Sequence, residues 1–375
     1  MIRKGLLVFP IYTDLKRLDA IVIKNEGIAK AFVHNGVAVD VLRFRTSGIY
    51  CGDTEVFRFS ANRYKRAWQL FAGAWPAIAR FAVRNNYDFV WVRLLLVNPV
   101  VTRFFRIIRK DAPKLKVLIE YGAYPFEAEL DKWRRRFYKL NKASERKVHS
   151  LSDLIVTYSG QTQLDGVPVV PIDNGVDLEG IGLVHPATDV QQCVRLISVS
   201  SLQKWHAVER LLEGMALYQQ KASGTPVLLD IVGSGPFYEA LQERARTLGL
   251  SDVVVFHGHC VGQRLDELYN RNHIAIGTLG FHRIGITNSS SLKNRDYFAR
   301  GLPVVLSTPD KDMPATLPFV LYVPEGEEPV DMAPIVAFAQ RAYNDPNINQ
   351  QVRTYAEGRV SWNSKIKTVL SYLNK

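Results

Sequence analysis

The sequence is short of cysteine, of long apolar runs and, in its first half, of acid. Three cysteines in 375 residues exclude a secreted domain built on disulfides. The longest apolar stretches, such as 67–79, are too short or too interrupted to span about 30 Å of hydrocarbon. Proline and glycine, 18 and 25 residues, are too sparse for collagen, disorder or low complexity. Arg3 and Lys4 before the apolar 6–9 resemble the start of a secretory leader. The run ends at Tyr12, charge returns at Asp14 and no small-residue cleavage site follows, so a first buried strand and a cytoplasmic location are expected. What is present is ordinary for a globular chain: 47% apolar and 22% charged residues, in a length suited to about two domains.

The charge is uneven. The net charge is +12, yet residues 1–170 hold 29 Lys/Arg against 15 Asp/Glu, and the remainder 19 against 21. All the excess positive charge lies in the N-terminal portion. That asymmetry points to a polyanionic partner for this portion alone, or to a well-solvated surface.

Apolar runs over 6–12, 37–42, 87–92, 116–120, 154–159 and 167–171 read as strands alternating with helical segments, including one capped by Asn98 with Pro99 in its first turn. Turn-prone residues between 171 and 194 read as a linker. A second series follows, with strands over 194–200, 227–232, 253–256, 273–277 and 303–307 and closing helices over 331–343 and 364–373. The fold class is therefore α/β, with two Rossmann-like halves whose ligands bind beyond the carboxyl ends of the strands.

Three strand-to-helix junctions in the second half suit an anion. Gly233-Ser234-Gly235-Pro236 lets a ligand approach the backbone and starts a helix with free N–H groups, although a plain tight turn reads equally well. Ser200-Ser201-Leu202-Gln203-Lys204-Trp205-His206 offers cations or donors to a diphosphate. The third junction, from Thr287 through Asn288, Ser289, Ser290, Ser291, Leu292, Lys293, Asn294 and Arg295 to Asp296, adds hydroxyls and two cations at a helix start. Asn288 and Asp296, eight apart, lie within about 80° of one helical face, and Asp296 can accept from sugar hydroxyls. In the first half, Glu120, Glu127 and Glu129 follow a strand, where a carboxylate can orient a hydroxyl or act as a base. His257 and His259 with Cys260 lack the further ligands of a zinc site. Cys51, Cys193 and Cys260 have no context that would make them nucleophiles.

In their order and spacing, several segments form a pattern. Val170-Pro171-Ile172-Asp173-Asn174-Gly175-Val176-Asp177 resembles "PNGVD", and Leu229-Asp230-Ile231-Val232-Gly233-Ser234-Gly235-Pro236 resembles "IVGDGP". Val255-Phe256-His257-Gly258 resembles "VxFxG", and the run from Leu292 to Val305 resembles "LKxREYLAxGLPVV". Trp205-His206 with Glu209, Leu211 and Leu212 is similar to "WHGxxRLIEGL", Tyr124-Pro125-Phe126 with Glu127 and Glu129 to "TYPYDxE", and Ser361-Trp362 to a closing "SW". Together they resemble bacterial glycosyltransferase family 4, in the branch acting in capsular, O-antigen or exopolysaccharide synthesis.

The resemblance implies the GT-B fold, two Rossmann-like domains with parallel sheets facing an interdomain cleft. It implies a basic, membrane-facing acceptor domain over 1–178, a nucleotide-sugar donor domain over 190–350, and a segment 351–375 crossing back to the first. The implied activity is transfer of a sugar, with retention and without an obligatory metal or other cofactor. The donor is a nucleotide-diphosphate sugar and the acceptor a saccharide on a polyprenyl diphosphate, at the inner face of the plasma membrane. The family's E-x7-E motif falls on Asn288 and Asp296: Asp296 inherits the ribose, and Asn288 keeps hydrogen bonding without the charge. The basic pair that neutralises the diphosphate aligns near Ser201 and His206, so Lys204, Lys293 or Arg295 can compensate. Catalytic roles then fall to Lys204, His206, Asn288, Lys293 and Arg295. Donor binding falls to Ser201, Gly233, Ser234, Gly235, Gly258, Ser289, Ser290, Ser291, Leu292 and Asp296, and acceptor binding to Tyr124, Glu127 and Glu129. A catalytically weak binding subunit of a polysaccharide assembly complex is the alternative. A nucleic-acid binder is motivated by charge alone and has no recognised motif.

One basic segment has two readings. Arg63, Lys65 and Arg66 with Trp68, Phe71 and Trp75 could form an interfacial helix. Tyr64, Trp68, Phe71 and Trp75 equally make a buried stripe. Burial is expected, with Arg134, Arg135, Arg136, Lys139 and Lys142 as the surface cations.

Overall fold

A computed structural model describes residues 2–14, 19–94, 97–122, 132–158, 163–187, 189–221 and 224–375. The chain divides into two units: Met1–Asp177 with Trp362–Lys375, and Leu178–Ser361. Among the described residues no helix is long and apolar enough to cross a membrane.

Unit 1 begins with β1 (Lys4–Tyr12), α1 (Asp19–His34) and β2 (Ala38–Arg45), followed by the hairpin β3 (Gly48–Cys51) and β4 (Thr54–Arg58). Helices α2 (Arg63–Ala72) and α3 (Ala74–Arg84), β5 (Phe89–Leu94), α4 (Pro99–Asp111), β6 (Lys116–Tyr121) and α5 (Lys132–His149) come next. β7 (Leu154–Thr157), β8 (Gln163–Leu164) and β9 (Val167–Pro171) complete a nine-stranded sheet in the order β4-β3-β2-β1-β5-β6-β7-β9-β8. Pairing is parallel except where β3 meets β2 and β4, and β8 meets β9. Alternation along β1 and β5 sends Leu6, Val8, Val90 and Val92 into one core and Leu7, Phe9, Phe89 and Trp91 into the other. Helices α3 and α4 cover the first face; α1 and the terminal helix Trp362–Leu373 cover the second. Asn98 caps α4 by accepting from the Val100 and Val101 amides, both at 2.9 Å.

The terminal helix is keyed into unit 1 by two glycines. A Cβ on Gly27 or Gly175 would lie 2.6 Å from the Trp362 ring, and the Trp362 amide donates to the Val176 carbonyl at 3.0 Å. The chain re-enters unit 1 at Trp362 and not at 351: residues 351–361 stay with unit 2, where Val352, Ala356 and Val360 fill its core.

Glu120 is fully buried and is not a free base. It accepts from Arg93 at 2.6 Å and from Trp91 and Tyr158 at 2.8 Å, with the Lys24 ammonium at 3.7 Å. Burial raises its pKa, but the Arg93 and Lys24 charges with these hydrogen bonds outweigh that and hold it at about 2.

Unit 2 runs β10 (Val194–Val199), α6 (Val208–Gln219), β11 (Val227–Val232), α7 (Tyr238–Thr247), β12 (Val254–Phe256), α8 (Gln263–Asn270) and β13 (Ile274–Ile276). Then come α9 (Leu292–Ala299), β14 (Val304–Leu306), β15 (Val320–Tyr322), α10 (Met332–Ala342) and α11 (Ile348–Tyr355). Its six strands are all parallel, ordered β12-β11-β10-β13-β14-β15. Helices α6, α7 and α10 pack on one face and α8, α9 and α11 on the other. The order reverses beside β10, which makes the loops after β10 and β13 the switch point where such sheets bind ligands.

Candidate functional site

The loops beyond the carboxyl ends of β10, β11 and β12 are fixed to one another by backbone contact. The Gly233 amide donates to the Gly258 carbonyl at 2.7 Å. A Cβ on Gly233 would lie 1.8 Å from the Ser200 carbonyl oxygen, and one on Gly235 1.8 Å from that of Ser201. The missing side chains of these glycines therefore make room for the neighbouring loop. Ser201 and Ser234 remain exposed beside them. Leu202, buried, is held at φ 39° and its carbonyl accepts from the Phe237 amide at 3.1 Å.

The β10 loop continues into a 3-10 turn, Lys204–His206. His206 is 9% exposed, and its Nδ1 accepts from the Gln203 amide at 3.0 Å. The remaining proton therefore sits on Nε2, as a donor. Burial first, and the Lys293 charge second, push its pKa down to about 3, so the ring is neutral at physiological pH. Lys204 is exposed. Its carbonyl accepts from Arg283 at 2.6 Å, and Arg283 also binds Glu209 at 2.5 Å and Glu327 at 3.0 Å. Arg210, buried on α6, donates to the Leu279, Glu328 and Pro324 carbonyls at 2.7, 2.8 and 3.0 Å. Sequence reasoning missed both arginines. The only hint of Arg210 was an arginine set among the leucines of an amphipathic helix.

Across the end of β13 lies the start of α9. The backbone of Ser291, its N-cap, is extended and its side chain makes no cap hydrogen bond. The Lys293 stem is partly exposed but its ammonium is buried, and among the described residues nothing accepts from it. Burial draws its pKa down to about 7. Three further buried polar atoms nearby in the sequence or fold also lack partners: Thr278 Oγ1, Ser289 Oγ and Asn294 Oδ1. Asn294 Oδ1 stands 3.2 Å from where a Gly277 Cβ would be, against the end of β13, and the Leu279 amide donates to the His206 carbonyl at 3.1 Å. The structure thus brings His206, Thr278, Lys293 and Asn294 to one strand end. Buried polar atoms normally find partners; among the described residues the Lys293 ammonium lacks an acceptor here and Asn294 Oδ1 lacks a donor.

Arg295 does not join it. It is fully buried, bound to Asp310 at 2.9 Å and Asp312 at 3.1 Å, and clamps the loop after β14 beneath α9. This overturns its assignment as a catalytic cation. Asn288 is exposed, and Leu292 39% exposed. Ser290 is half-buried. The Asp296 carboxylate, 30% exposed, is paired with Arg300 at 3.2 Å beside Tyr269. His257 Nε2–H donates to Asp230 at 2.7 Å, and Asp230 also accepts from Arg271 and Asn272, each at 2.8 Å, so the ring is tied to β11. Tyr124, Glu127 and Glu129 lie outside the described residues.

The profile of the family "Glycosyl transferases group 1" matches residues 192–312, which span the cluster. No curated protein sequence matches the chain significantly. Among solved structures, the chain is similar to the apo form of the lipopolysaccharide outer core galactosyltransferase WaaB (TM-score 0.60, 12% identity, 99% of each chain). It is also similar to a glycosyltransferase from Rickettsia africae (0.61, 13%, 99% of this chain and 98% of that one). A third is Anabaena HepE in complex with UDP and glucose (0.54, 12%, 98% and 99%). The fold is GT-B.

Proposed function

We propose that the chain is a family 4 type glycosyltransferase, retaining and independent of metal, that takes a nucleotide-diphosphate sugar as donor. One observation carries the reading: the unpartnered Lys293 ammonium and the neutral His206 Nε2–H at the end of β13, within the residues that the group 1 profile matches. A diphosphate supplies the acceptors and the charge this cluster lacks. As the glycosidic bond breaks, negative charge grows on the leaving phosphate. Lys293 and the donor on His206, already oriented, stabilise that charge more than the ground state. The acceptor hydroxyl attacks on the face the diphosphate leaves, and the departing phosphate takes its proton, so no strong protein base is needed. Asp296 holds the ribose, with Ser201, Ser234, Gly258 and Ser289–Leu292 along the donor. The acceptor, a saccharide on a polyprenyl diphosphate in cell-surface polysaccharide synthesis, falls to Tyr124, Glu127 and Glu129 at the inner membrane face. That WaaB is a lipopolysaccharide enzyme and that HepE was solved with UDP and glucose supports the donor class.

The test is thermal-shift screening with UDP, GDP and their sugar conjugates, since a ligand of the native state alone raises its stability, followed by turnover with lipid-linked acceptors. No shift with any diphosphate would end the reading. A second reading, a catalytically weak binding subunit, is favoured by the neutral, exposed Asn288 and by Asp296 being already paired with Arg300. Nucleotide binding without turnover across the panel would select it.

A further inference from the structure

His206 sits on a turn that its own backbone does not favour. The turn lies between Leu202 at φ 39° and Ala207 at φ 50°, left-handed conformations that residues with side chains adopt at a cost. Such a segment persists where its surroundings over-determine it. Here the surroundings are the turn Phe281–Ile284, which follows β13. A Cβ on Gly280 would lie 2.7 Å from that of Ala207 and 3.0 Å from the Trp205 carbonyl oxygen, so the two turns meet at the backbone. From the second turn the Arg283 guanidinium donates to the Lys204 carbonyl at 2.6 Å and to Glu209 at 2.5 Å. These partners stand on either side of His206 in the chain. The Lys204 carbonyl also accepts from the Ala207 amide at 3.3 Å, the bond that closes the turn.

The guanidinium is itself fixed. Its Nη1 serves the His206 turn, while its Nε donates to both Glu327 oxygens, at 3.0 and 3.1 Å, and its Nη2 to one of them. A planar fork held by carboxylates on two sides has little freedom to rotate. The Arg283 and Glu209 side chains are only 15% and 20% exposed, so water competes weakly for their bond. A donor that acts on charge developing in a ligand has to be held within about 0.5 Å and 10–20° of its productive geometry. We propose that Arg283 is a positioning residue: it clamps the chain on both sides of His206 and so sets where the ring's Nε2–H points. The proposal rests on the proposed function only for what that donor receives.

The test is NMR titration of His206 in the full chain, for native protein, Arg283→Gln and Arg283→Lys, with UDP and GDP affinity measured on the same samples. Native His206 is expected to stay neutral above about pH 3. Released from the clamp, the ring reaches water, and its midpoint is expected above about 5 in both variants. Arg283→Lys keeps the charge and loses the fork, so a rise there reports position and not electrostatics. It also leaves Glu209 a cation, which keeps the test open if Arg283→Gln does not fold. Arg246→Gln, an exposed change elsewhere in unit 2, leaves the midpoint unmoved. Nucleotide affinity is expected to fall about tenfold in either variant. It falls no further when Arg283→Lys is added to His206→Gln, because the two residues act as one unit. A midpoint unmoved by either change, a rise in Arg283→Gln alone, or equal affinity losses with and without His206 would each overturn the proposal. Native protein that binds neither nucleotide would end the proposed function, and the titration would still decide the role of Arg283.

Discussion

Lys293 gives the sharpest perturbation. Its pKa falls from 10.5 to about 7 because its ammonium is buried without an acceptor. Below about pH 7 both folded and unfolded chains hold this proton, so the whole burial penalty weighs on the fold. Above it the folded chain releases the proton and the unfolded chain keeps it. Stability therefore rises with pH by about 1.4 kcal/mol per unit, from about pH 7 until the unfolded group also titrates. Between about pH 7 and 9 that is roughly 2–3 kcal/mol, and any outward swing of the partly exposed stem makes it smaller. Lys24 titrates in the same direction, with its pKa at about 8, so the comparison must be with Lys293→Met, which keeps Lys24. The assay is urea unfolding of both proteins across this range. Native protein is expected to gain on the variant as pH rises. Parallel profiles for the two would show that the ammonium is solvated and the reasoning wrong.

Other predictions concern neighbouring groups. Since the His206 pKa falls from 6.5 to about 3, the unfolded chain takes up that proton first on acidification. Stability is expected to drop between these two values, and less so in His206→Gln, as read from acid unfolding. Arg295→Met leaves Asp310 buried without its cation, while Asp312 keeps Arg359 at 3.2 Å, and should cost about 3–5 kcal/mol, measured as a fall in the unfolding midpoint. Unchanged stability with weakened nucleotide binding would instead restore Arg295 to the donor site. Asp296→Ala is expected to weaken nucleotide affinity about tenfold or more while leaving the fold intact; equal affinity by calorimetry would remove it from the site. Asn288→Glu should alter donor choice or rate, and identical kinetics would place that position outside the donor pocket.

Much of this was legible in the residues. The alternation of apolar strands and amphipathic helices gave the parallel strands of both sheets, and Asn98-Pro99 marked the start of α4. The edge hairpin β3–β4 escaped notice because its strands are short and half-exposed, with little alternation to read. The aromatic stripe was misread because it assumed one helix through residue 75. Gly73 divides it, so Trp75 is buried on α3 while Tyr64 and Trp68 face outward on α2. The cations of α9 were misjudged for a geometric reason. Lys293 and Arg295 are two apart, about 200° around a helix, so they cannot both face one ligand. The acids that claim Arg295 lie on a later loop, beyond the reach of local pattern. At Gly233 and Gly235 what stands close is the chain itself, a contact that lies outside local pattern. The resemblance supplied the order of the motifs; only the folded chain revealed which of their polar atoms are left without partners.

The most direct measurement is calorimetric titration of UDP and GDP into native protein and Lys293→Met, near pH 8, in buffers of differing ionisation enthalpy. With its pKa at about 7, Lys293 is roughly one-tenth protonated there before binding and fully so beside a diphosphate. The account predicts that one nucleotide binds with uptake of about 0.9 proton, and that the variant loses both the uptake and at least about tenfold in affinity. Equal affinity in the two proteins with no proton uptake, or no diphosphate binding in either, would contradict it.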